Sequence, residues 1–217
     1  MIDIIRNGTV TDLILFFISS VIVVFVSLPI HEFAHAFTAN KLGDPTAKYS
    51  GRITINPFAH LDPIGSLLIL LFGFGWAKPV PVNSYNFRKP KRDMAITAAA
   101  GPILNIILAF VFYFLFKIFV RFLPDTEFAS YIALICFYVV NINVGLAVFN
   151  LIPIPPLDGS RLLAAFLSDR KYYRLMQYER YFSLAVIFLI FTGALDTPLS
   201  FLSNLLYSIF DILTFWI

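Results

Sequence analysis

The stretch "VIVVFVSLPIHEFAHAFTAN", residues 21–40, joins an apolar run to side chains that bind and use metals. Together with the apolar residues from about position 11, its first half is long enough to cross a bilayer. Its second half places His31 and His35 four positions apart, with Glu32 directly after the first histidine. On a helix both imidazoles share one face and can approach one metal ion. The stretch therefore predicts a membrane helix with a metal site near one end.

The composition of the chain is that of a membrane protein. Among the 217 residues, 59% are hydrophobic and 13% are charged, and the mean hydropathy is +0.82. Soluble domains contain roughly 25% charged residues, so this balance excludes an ordinary soluble protein. No small-residue cleavage pattern follows the first apolar run, which we expect to be retained. The length suits one integral-membrane domain, 1–217, with a core at 15–170 and C-terminal helices at 181–217.

Apolar runs predict the number of membrane spans. Those near span length are 11–38, 94–116, 129–151, 181–195 and 199–217. Two shorter runs, 64–77 and 157–167, predict re-entrant or broken helices. Alternating polar and β-branched residues predict a small extended or β-strand segment near 46–90. We therefore predict an all-α polytopic membrane protein with about five transmembrane helices, two short helices and this small segment.

Basic residues predict the orientation. Most of the 16 Lys and Arg residues lie in three segments: 41–52, 78–92 and 161–180. If the two shorter apolar runs return to the side from which they came, five spans place these segments on one face. The positive-inside rule makes that face cytoplasmic. We therefore expect a multi-pass protein of the cell membrane, with its N-terminus outside, its C-terminus inside and the HEFAH motif, residues 31–35, near the cytoplasmic face.

A third ligand for zinc is expected at Asp158. A catalytic zinc site needs three protein ligands and an open position. Asp158 follows three prolines in "NLIPIPPLDGSRLL", residues 150–163, where a broken span can line a cavity. Aspartate also suits the start of a helix, so an N-cap role is the alternative. Beside the HEFAH motif, zinc ligation is the favoured interpretation.

Two asparagines are candidates for contact with a substrate. Asn105 ends "AAAGPILN", residues 98–105, whose small residues allow close helix packing, and Asn150 ends the span that precedes Asp158. Each amide can form interhelical hydrogen bonds. Each can instead orient a substrate backbone or stabilise the oxyanion of a tetrahedral intermediate.

These motifs together resemble the site-2 protease family of intramembrane zinc metalloproteases. HEFAH lies in an early apolar helix, "GPILN" in a middle one and "NLIPIPPLDG" in a later one. "GDPTAKYSGRITINPFAHLDP", residues 43–63, and "FGWAKPVPVN", residues 74–83, resemble the short prokaryotic branch that lacks PDZ and CBS domains. The likeness extends over residues 15–170.

The resemblance implies a fold of membrane helices and a proteolytic function. His31, His35 and Asp158 would hold one zinc ion per chain, and Glu32 would act as the general base. The implied reaction is hydrolysis of peptide bonds within or near transmembrane segments, termed regulated intramembrane proteolysis. The expected partners are a transmembrane protein substrate and the lipid bilayer, with no nucleic acid.

The segment "WAKPVPV", residues 76–82, is a candidate for substrate binding. By analogy with strand and loop elements of the family, an edge strand here could hold an unwound substrate by strand addition. The residues concerned are Trp76, Lys78, Val80 and Val82. A plain loop at the membrane surface is the alternative.

His60 is an accessory candidate with several possible roles. It could approach the zinc site, bind a second ion or cap a turn with Asp62. Zinc ligation by His60 is the less favoured role, because three other ligands already complete an open catalytic site.

Two other functions compete with proteolysis. A transmembrane metal transporter or zinc-binding membrane protein would also place histidines and an aspartate inside the membrane. A transport path needs ligands on both sides of the bilayer, whereas all the ligands expected here map to one side, and Glu32 has the position of a general base. A scaffold without activity is the second rival, and the intact HEFAH motif and Asp158 argue against it.

Overall fold

Helices make up most of the structure, a computed structural model that describes residues 8–73 and 75–217. Three of them are long: α1 (Val10–Lys41), α4 (Pro90–Phe122) and α5 (Glu127–Asn150). Between α1 and α4 lie α2 (Thr46–Tyr49) and α3 (Pro63–Phe72). After α5 come α6 (Asp158–Leu162), α7 (Asp169–Gln177), α8 (Glu179–Phe191) and α9 (Asp196–Leu213). Single 3₁₀ turns occur at Pro57–Ala59, Ser84–Asn86 and Leu163–Ala165.

Helices α1, α4 and α5 are long and apolar enough to cross a membrane. The five predicted spans are therefore not confirmed. Helix α8 has 13 residues, a length of about 20 Å against a hydrocarbon core of about 30 Å. Helix α9 has 18 residues, among them Asp196, Asn204 and Asp211, which lower its mean hydropathy. The predicted outside position of the N-terminus concerns residues 1–7, which lie outside the described residues.

The small extended or β-strand segment predicted near 46–90 is not confirmed as a strand in its described residues. They form α2, α3, two 3₁₀ turns and irregular chain, and segment 76–82 pairs with no other strand. Pro79 and Pro81 have no N–H groups to donate to a ladder, so alternation in segment 76–82 does not lead to a paired strand. The short apolar runs at 64–77 and 157–167 do form short helices as predicted, in α3 and α6.

Helix α1 contains one wide turn just before the histidines. Residues Val23–Ser27 are π-helical, and the Leu28 N–H bonds to the Val23 carbonyl, five residues back. Pro29 explains this local change, because its ring would press on the carbonyl four residues earlier and it has no N–H to offer. The wide turn lets α1 pass the proline without a break and continue to Lys41.

Two apolar clusters hold the bundle together. The first joins α1, α3 and α5 through side chains such as Val23, Ile69 and Val139, each fully buried. The second joins α4, α5 and α9 through Ala109, Val144 and neighbouring aromatic rings. Because lipid tails are as apolar as these side chains, close packing and polar contacts between helices must supply much of the stability.

Gly101 allows α4 to lie directly against the histidine pair of α1. A Cβ atom built at Gly101 would lie 2.6 Å from His31 Nε2 and closer still to His35 Nε2. Real Cβ atoms do not approach other heavy atoms so closely, so a side chain here would force the two helices apart. The glycine therefore fixes the separation of α1 and α4 at the level of the histidines.

Helix α9 runs parallel to α4, so the position of the C-terminus predicted from the sequence is not confirmed. Near the start of α9, Asp196 lines the same cavity as Asp158. Near its end, Asp211 accepts a hydrogen bond of 2.6 Å from Tyr113 and lies 3.3 Å from Lys117 Nζ. The end of α9 thus lies at the Lys117 end of the bundle, opposite to His31. The prediction treats the run at 181–195 as a crossing, whereas Asp196, directly after this run, lines the same cavity as Asp158.

Replacing Gly101 by alanine is expected to destabilise the protein by about 1–3 kcal/mol, because the added methyl overlaps the histidine rings. Gly145→Ala in α5 is the matched control, since a Cβ there meets no atom within 4 Å. It should leave stability unchanged or raise it by about 0.5–1 kcal/mol. Thermal unfolding in detergent would measure both changes. Equal effects of the two variants would contradict the close contact at Gly101.

The course of α9 predicts which positions share one side of the membrane. Single cysteines placed by Asp125→Cys and Phe215→Cys in a Cys136→Ala background should react with an impermeant maleimide from the same side. Arg88→Cys and Gln177→Cys should react from the other side. Reaction of the residue 215 cysteine together with that at residue 88 would contradict the parallel arrangement of α4 and α9.

Candidate active site

Three side chains that bind metals converge beside α4. His31 and His35 are buried one turn apart on α1, and their Nε2 atoms lie 3.0 Å apart. Asp158, the first residue of α6, brings its Oδ2 to 3.3 Å from His31 Nε2 and 3.2 Å from His35 Nε2. The structure thus brings together the three residues that the sequence proposed as ligands.

The spacing of these three donor atoms fits zinc. Zinc bonds to histidine nitrogen and carboxylate oxygen are about 2.0–2.2 Å long, so the ligands of a tetrahedral ion lie about 3.3–3.6 Å from one another. The observed separations of 3.0–3.3 Å are close to this range. Two imidazoles and one carboxylate also form a donor set that catalytic zinc sites use.

A backbone carbonyl orients His35. Its Nδ1 donates a hydrogen bond of 2.8 Å to the Thr97 carbonyl of α4. A carbonyl can only accept, so the neutral ring carries its proton on Nδ1 and presents the Nε2 lone pair to the site. His31 Nδ1 is buried and has no partner within the described part of the chain.

Asp158 owes its position to the glycine that follows it. A Cβ atom at Gly159 would overlap the carbonyls of Leu151 and Ile152, so only glycine lets α6 fold back against the end of α5. Burial alone would raise the pKa of Asp158, but His35 and His31 hold that pKa well below its usual range. Asp158 must be ionised to bind a metal ion. Its side chain caps no N–H group, so the N-cap alternative is not supported.

Glu32 lies beside the three ligands without joining them. It is buried, and its Oε2 accepts a hydrogen bond of 3.1 Å from the Val80 N–H. Glu32 lines the same cavity as His31 and Asp158. A carboxylate next to a metal site but outside its ligand set has the position required of a general base.

The site opens into a cavity of about 910 Å³ with mostly apolar walls. Asn105 and Asn150 both line it, as do Trp76, Val80 and Val82. Asn105 is fully buried, and neither its amide nitrogen nor its oxygen has a partner among the described residues. The interhelical hydrogen bond considered for Asn105 is therefore absent from the described structure, and its amide remains available to a ligand.

Segment 76–82 reaches the cavity, but much of its backbone is already bonded. The Lys78 N–H donates to the His60 carbonyl at 2.8 Å, and the Lys78 and Pro79 carbonyls accept from Arg52 at 2.5 and 3.2 Å. With the Val80 N–H on Glu32, few groups remain at 78–80 to pair with a substrate strand. Lys78 itself does not line the cavity.

Asp44 anchors the far end of this segment. The buried carboxylate accepts hydrogen bonds from the Asn83 N–H at 2.7 Å and the Asn86 amide at 2.8 Å, and it also bonds to Thr46. Burial raises the pKa of Asp44, but these donors outweigh it and the pKa is lowered. The end of α1 and the chain after segment 76–82 are thereby held together.

His60 bonds to the segment and lies outside the group His31, His35 and Asp158 that could hold a metal ion. Its Nε2 donates to the Thr54 carbonyl at 2.8 Å, and its Nδ1 accepts from Arg52 at 3.3 Å. Both ring nitrogens thus have hydrogen-bond partners, which favours a structural role over approach to zinc or a second ion. Burial lowers the pKa of His60, which favours the neutral ring. Asp62 caps α3 through the Gly65 N–H rather than pairing with His60.

Sequence reasoning missed three residues that shape the site. Gly101 was treated only as one of several small residues, although its contact is specific to the histidines. Thr97 acts through its backbone carbonyl, so the type of its side chain does not indicate this role. In the sequence Arg52 is one of the basic residues that predict the membrane orientation. Its side chain is only 7% exposed, which is visible only in the structure.

Comparisons with known proteins agree with this geometry. Residues 118–193 match Peptidase family M50. "Putative zinc metalloprotease YwhC" of Bacillus subtilis (strain 168) is 41% identical over 181 residues, covering 82% of this chain and 80% of that protein. "Putative zinc metalloprotease MJ0611" of Methanocaldococcus jannaschii is 35% identical over 153 residues, covering 69% and 71%. No solved structure gives a significant match.

The motif resemblance, the donor geometry and the similarity of whole chains lead to the same family. An identity of 41% over four fifths of both chains is enough to establish the relationship. Three helices suited to a membrane and a zinc-type donor set agree with it. The chain belongs to Peptidase family M50 and is a zinc-dependent metalloprotease of the membrane.

Proposed function

We propose that the protein is an intramembrane endopeptidase that cuts peptide bonds within or near transmembrane segments of membrane-protein substrates, as in regulated intramembrane proteolysis. One observation carries the proposal: the three donor atoms and Glu32 line an apolar cavity of about 910 Å³ between helices long enough to span a bilayer. A soluble substrate has no reason to enter such a cavity, whereas an apolar segment does.

Each residue of the site has a proposed role in hydrolysis. His31, His35 and Asp158 would hold one zinc ion. When bound, zinc polarises the scissile carbonyl and lowers the pKa of a water molecule. Glu32 accepts a proton from the attacking water and passes it to the leaving amine as the C–N bond breaks. Water thus adds across the peptide bond without any other reactant.

The cavity suggests how the substrate is held. Asn105 and Asn150 would donate hydrogen bonds to carbonyl oxygens of a locally unwound substrate, including the developing oxyanion. Trp76, Val80 and Val82 would contact its apolar side chains. Pairing of strands along 78–80 is not part of this proposal, because those backbone groups are bonded within the protein.

The site is proposed to lie near the cytoplasmic face of the cell membrane. The histidines lie in the later part of α1, which leads directly into the basic segment 41–52. The positive-inside rule favours that side for the segments rich in Lys and Arg. Lys117 and the end of α9 would then lie outside, with the N-terminus. We retain the expectation that residues 1–217 act as one membrane domain.

A metal transporter is the less supported alternative. Within residues 8–73 and 75–217, one group of metal-binding side chains meets the geometric requirement, His31, His35 and Asp158. A path across the bilayer would need further sites at other depths. Glu32 also has no place in transport, since it lies beside the ligand set rather than along a path.

Two substitutions separate the general base from the metal ligands. Glu32→Gln should keep one zinc ion per chain and abolish measurable cleavage of a reporter with a helix-destabilised transmembrane segment, because the amide cannot accept a proton. Asp158→Ala should lose both cleavage and zinc, as measured by metal analysis of the purified protein. Cleavage by Glu32→Gln at the parent rate would exclude Glu32 as the base. Full zinc content in Asp158→Ala would exclude its role as a ligand.

Loss of the Asn105 amide is expected to lower kcat for the same reporter by about 10²-fold, a typical cost of removing one oxyanion donor. Zinc content should not change. Asn143→Ala in α5 is the matched control, because Asn143 is equally buried but bonds to the Val139 carbonyl and does not line the cavity. Similar kcat values for Asn105→Ala and Asn143→Ala would argue against substrate contact by Asn105.

A further inference from the structure

Segment 78–80 contains few backbone donors, and one of them bonds to Glu32. Pro79 and Pro81 flank Val80 and have no N–H groups. Val80 therefore carries the lone backbone N–H between residues 79 and 81, and this group donates to Glu32 Oε2 at 3.1 Å. The two prolines thus leave one donor at the position where the carboxylate needs it.

Arg52 fixes the position of this donor. Its guanidinium bonds to the Lys78 carbonyl at 2.5 Å and to the Pro79 carbonyl at 3.2 Å. The guanidinium is planar and rigid, so its bonds to the Lys78 and Pro79 carbonyls hold the backbone around Pro79 in one orientation. The Pro79 carbonyl and the Val80 N–H belong to one planar peptide group, so fixing the carbonyl also fixes the N–H.

His60 bonds both to Lys78 and to Arg52. The His60 carbonyl accepts from the Lys78 N–H at 2.8 Å, and its ring accepts from Arg52 at 3.3 Å. His60 is fully buried and Arg52 is 7% exposed. Burial of a cation is costly unless it is well bonded and near a negative charge, and Glu32 supplies that charge.

We propose that Arg52, His60 and the backbone of 78–80, here termed the Arg52 clamp, position the Glu32 carboxylate for catalysis. The Val80 N–H holds Oε2 and leaves Oε1 for the reacting water. Arg52 and His60 are positioning residues, since they act through the segment and touch neither substrate nor ligands. The inference rests on the proposed role of Glu32 as the general base.

The first test removes the Val80 N–H. Val80→Pro deletes the donor within a segment that already tolerates proline on both sides, and Val80→Ala removes the side chain but keeps the donor. Relative to Val80→Ala, Val80→Pro should lower kcat by about 10–100-fold, the cost of a misplaced catalytic group. Relative to Val80→Ala, the KM and zinc content of Val80→Pro should stay within about threefold, because both variants lack the valine side chain in the cavity and neither changes a metal ligand. Equal kcat values for the two variants would overturn the proposal.

The second test asks whether the effect acts through Glu32. Glu32→Asp withdraws the carboxylate from the Val80 N–H by one methylene. In that background, Val80→Pro should cost about threefold or less, so that the two changes are not additive. A full additional loss of 10–100-fold would show that Val80→Pro damages the site in another way and would contradict the clamp.

The third test does not depend on activity. In the full-length protein labelled with ¹⁵N-valine, the Val80 amide should exchange with solvent slowly. Both Glu32→Ala and Arg52→Gln should accelerate this exchange at least about tenfold, since one removes the acceptor and the other releases the segment. Arg88→Gln, an exposed arginine at the same end of the bundle, is the control and should have no effect. Unchanged exchange in Glu32→Ala would overturn the proposal.

These outcomes separate the clamp from the proposed function. If the parent protein cut no membrane substrate, the exchange experiment would still report whether Arg52 and Glu32 hold Val80. If the parent cut the reporter but Val80→Pro matched Val80→Ala, the proteolytic function would stand and the clamp would fail.

Discussion

The close approach of α4 to the histidine pair of α1 is the contact on which the rest of the site depends. Gly101 brings the α4 backbone against both imidazoles, and the Thr97 carbonyl one turn earlier orients His35. Helix α4 then packs against α5, whose broken end delivers Asp158 to the same point. A larger residue at position 101 would therefore disturb the ligand geometry from two directions. The metal site is an outcome of helix packing as much as of ligand chemistry.

The second organising constraint is the cost of unpaired polar groups away from water. Around segment 76–82 this cost is met by side chains rather than by a sheet. Arg52 bonds to two carbonyls, the His60 carbonyl accepts one N–H and Glu32 accepts another. A chain rich in proline cannot satisfy its own backbone, so it depends on such partners. Asn105 is the contrasting case, because its amide is buried beside the cavity with no partner in the described residues.

The sequence was most informative where chemistry and local spacing coincide. His31, Glu32 and His35 follow from helical periodicity, and Asp158 follows from a helix start after prolines. The strand expected near segment 76–82 is not confirmed, because alternation cannot reveal whether backbone groups bond to a strand or to a guanidinium. Composition does not decide the direction of α9, because an apolar run such as 181–195 has the same composition whether it crosses the membrane or turns back. Contacts between distant residues, such as Tyr113 with Asp211, decide that question.

The wide turn at Val23–Ser27 has a consequence for how α1 combines two surfaces. A π-helical turn adds one residue to a helix, which rotates everything after it by about 100° relative to a regular α-helix. The half of α1 that packs on α3 and α5 and the half that carries the histidines are therefore set to independent angles. Substitutions that suit the first half to a different lipid or helix neighbour need not alter the direction in which the imidazoles point. The turn acts as a rotational offset between the membrane anchor and the catalytic face of a single helix.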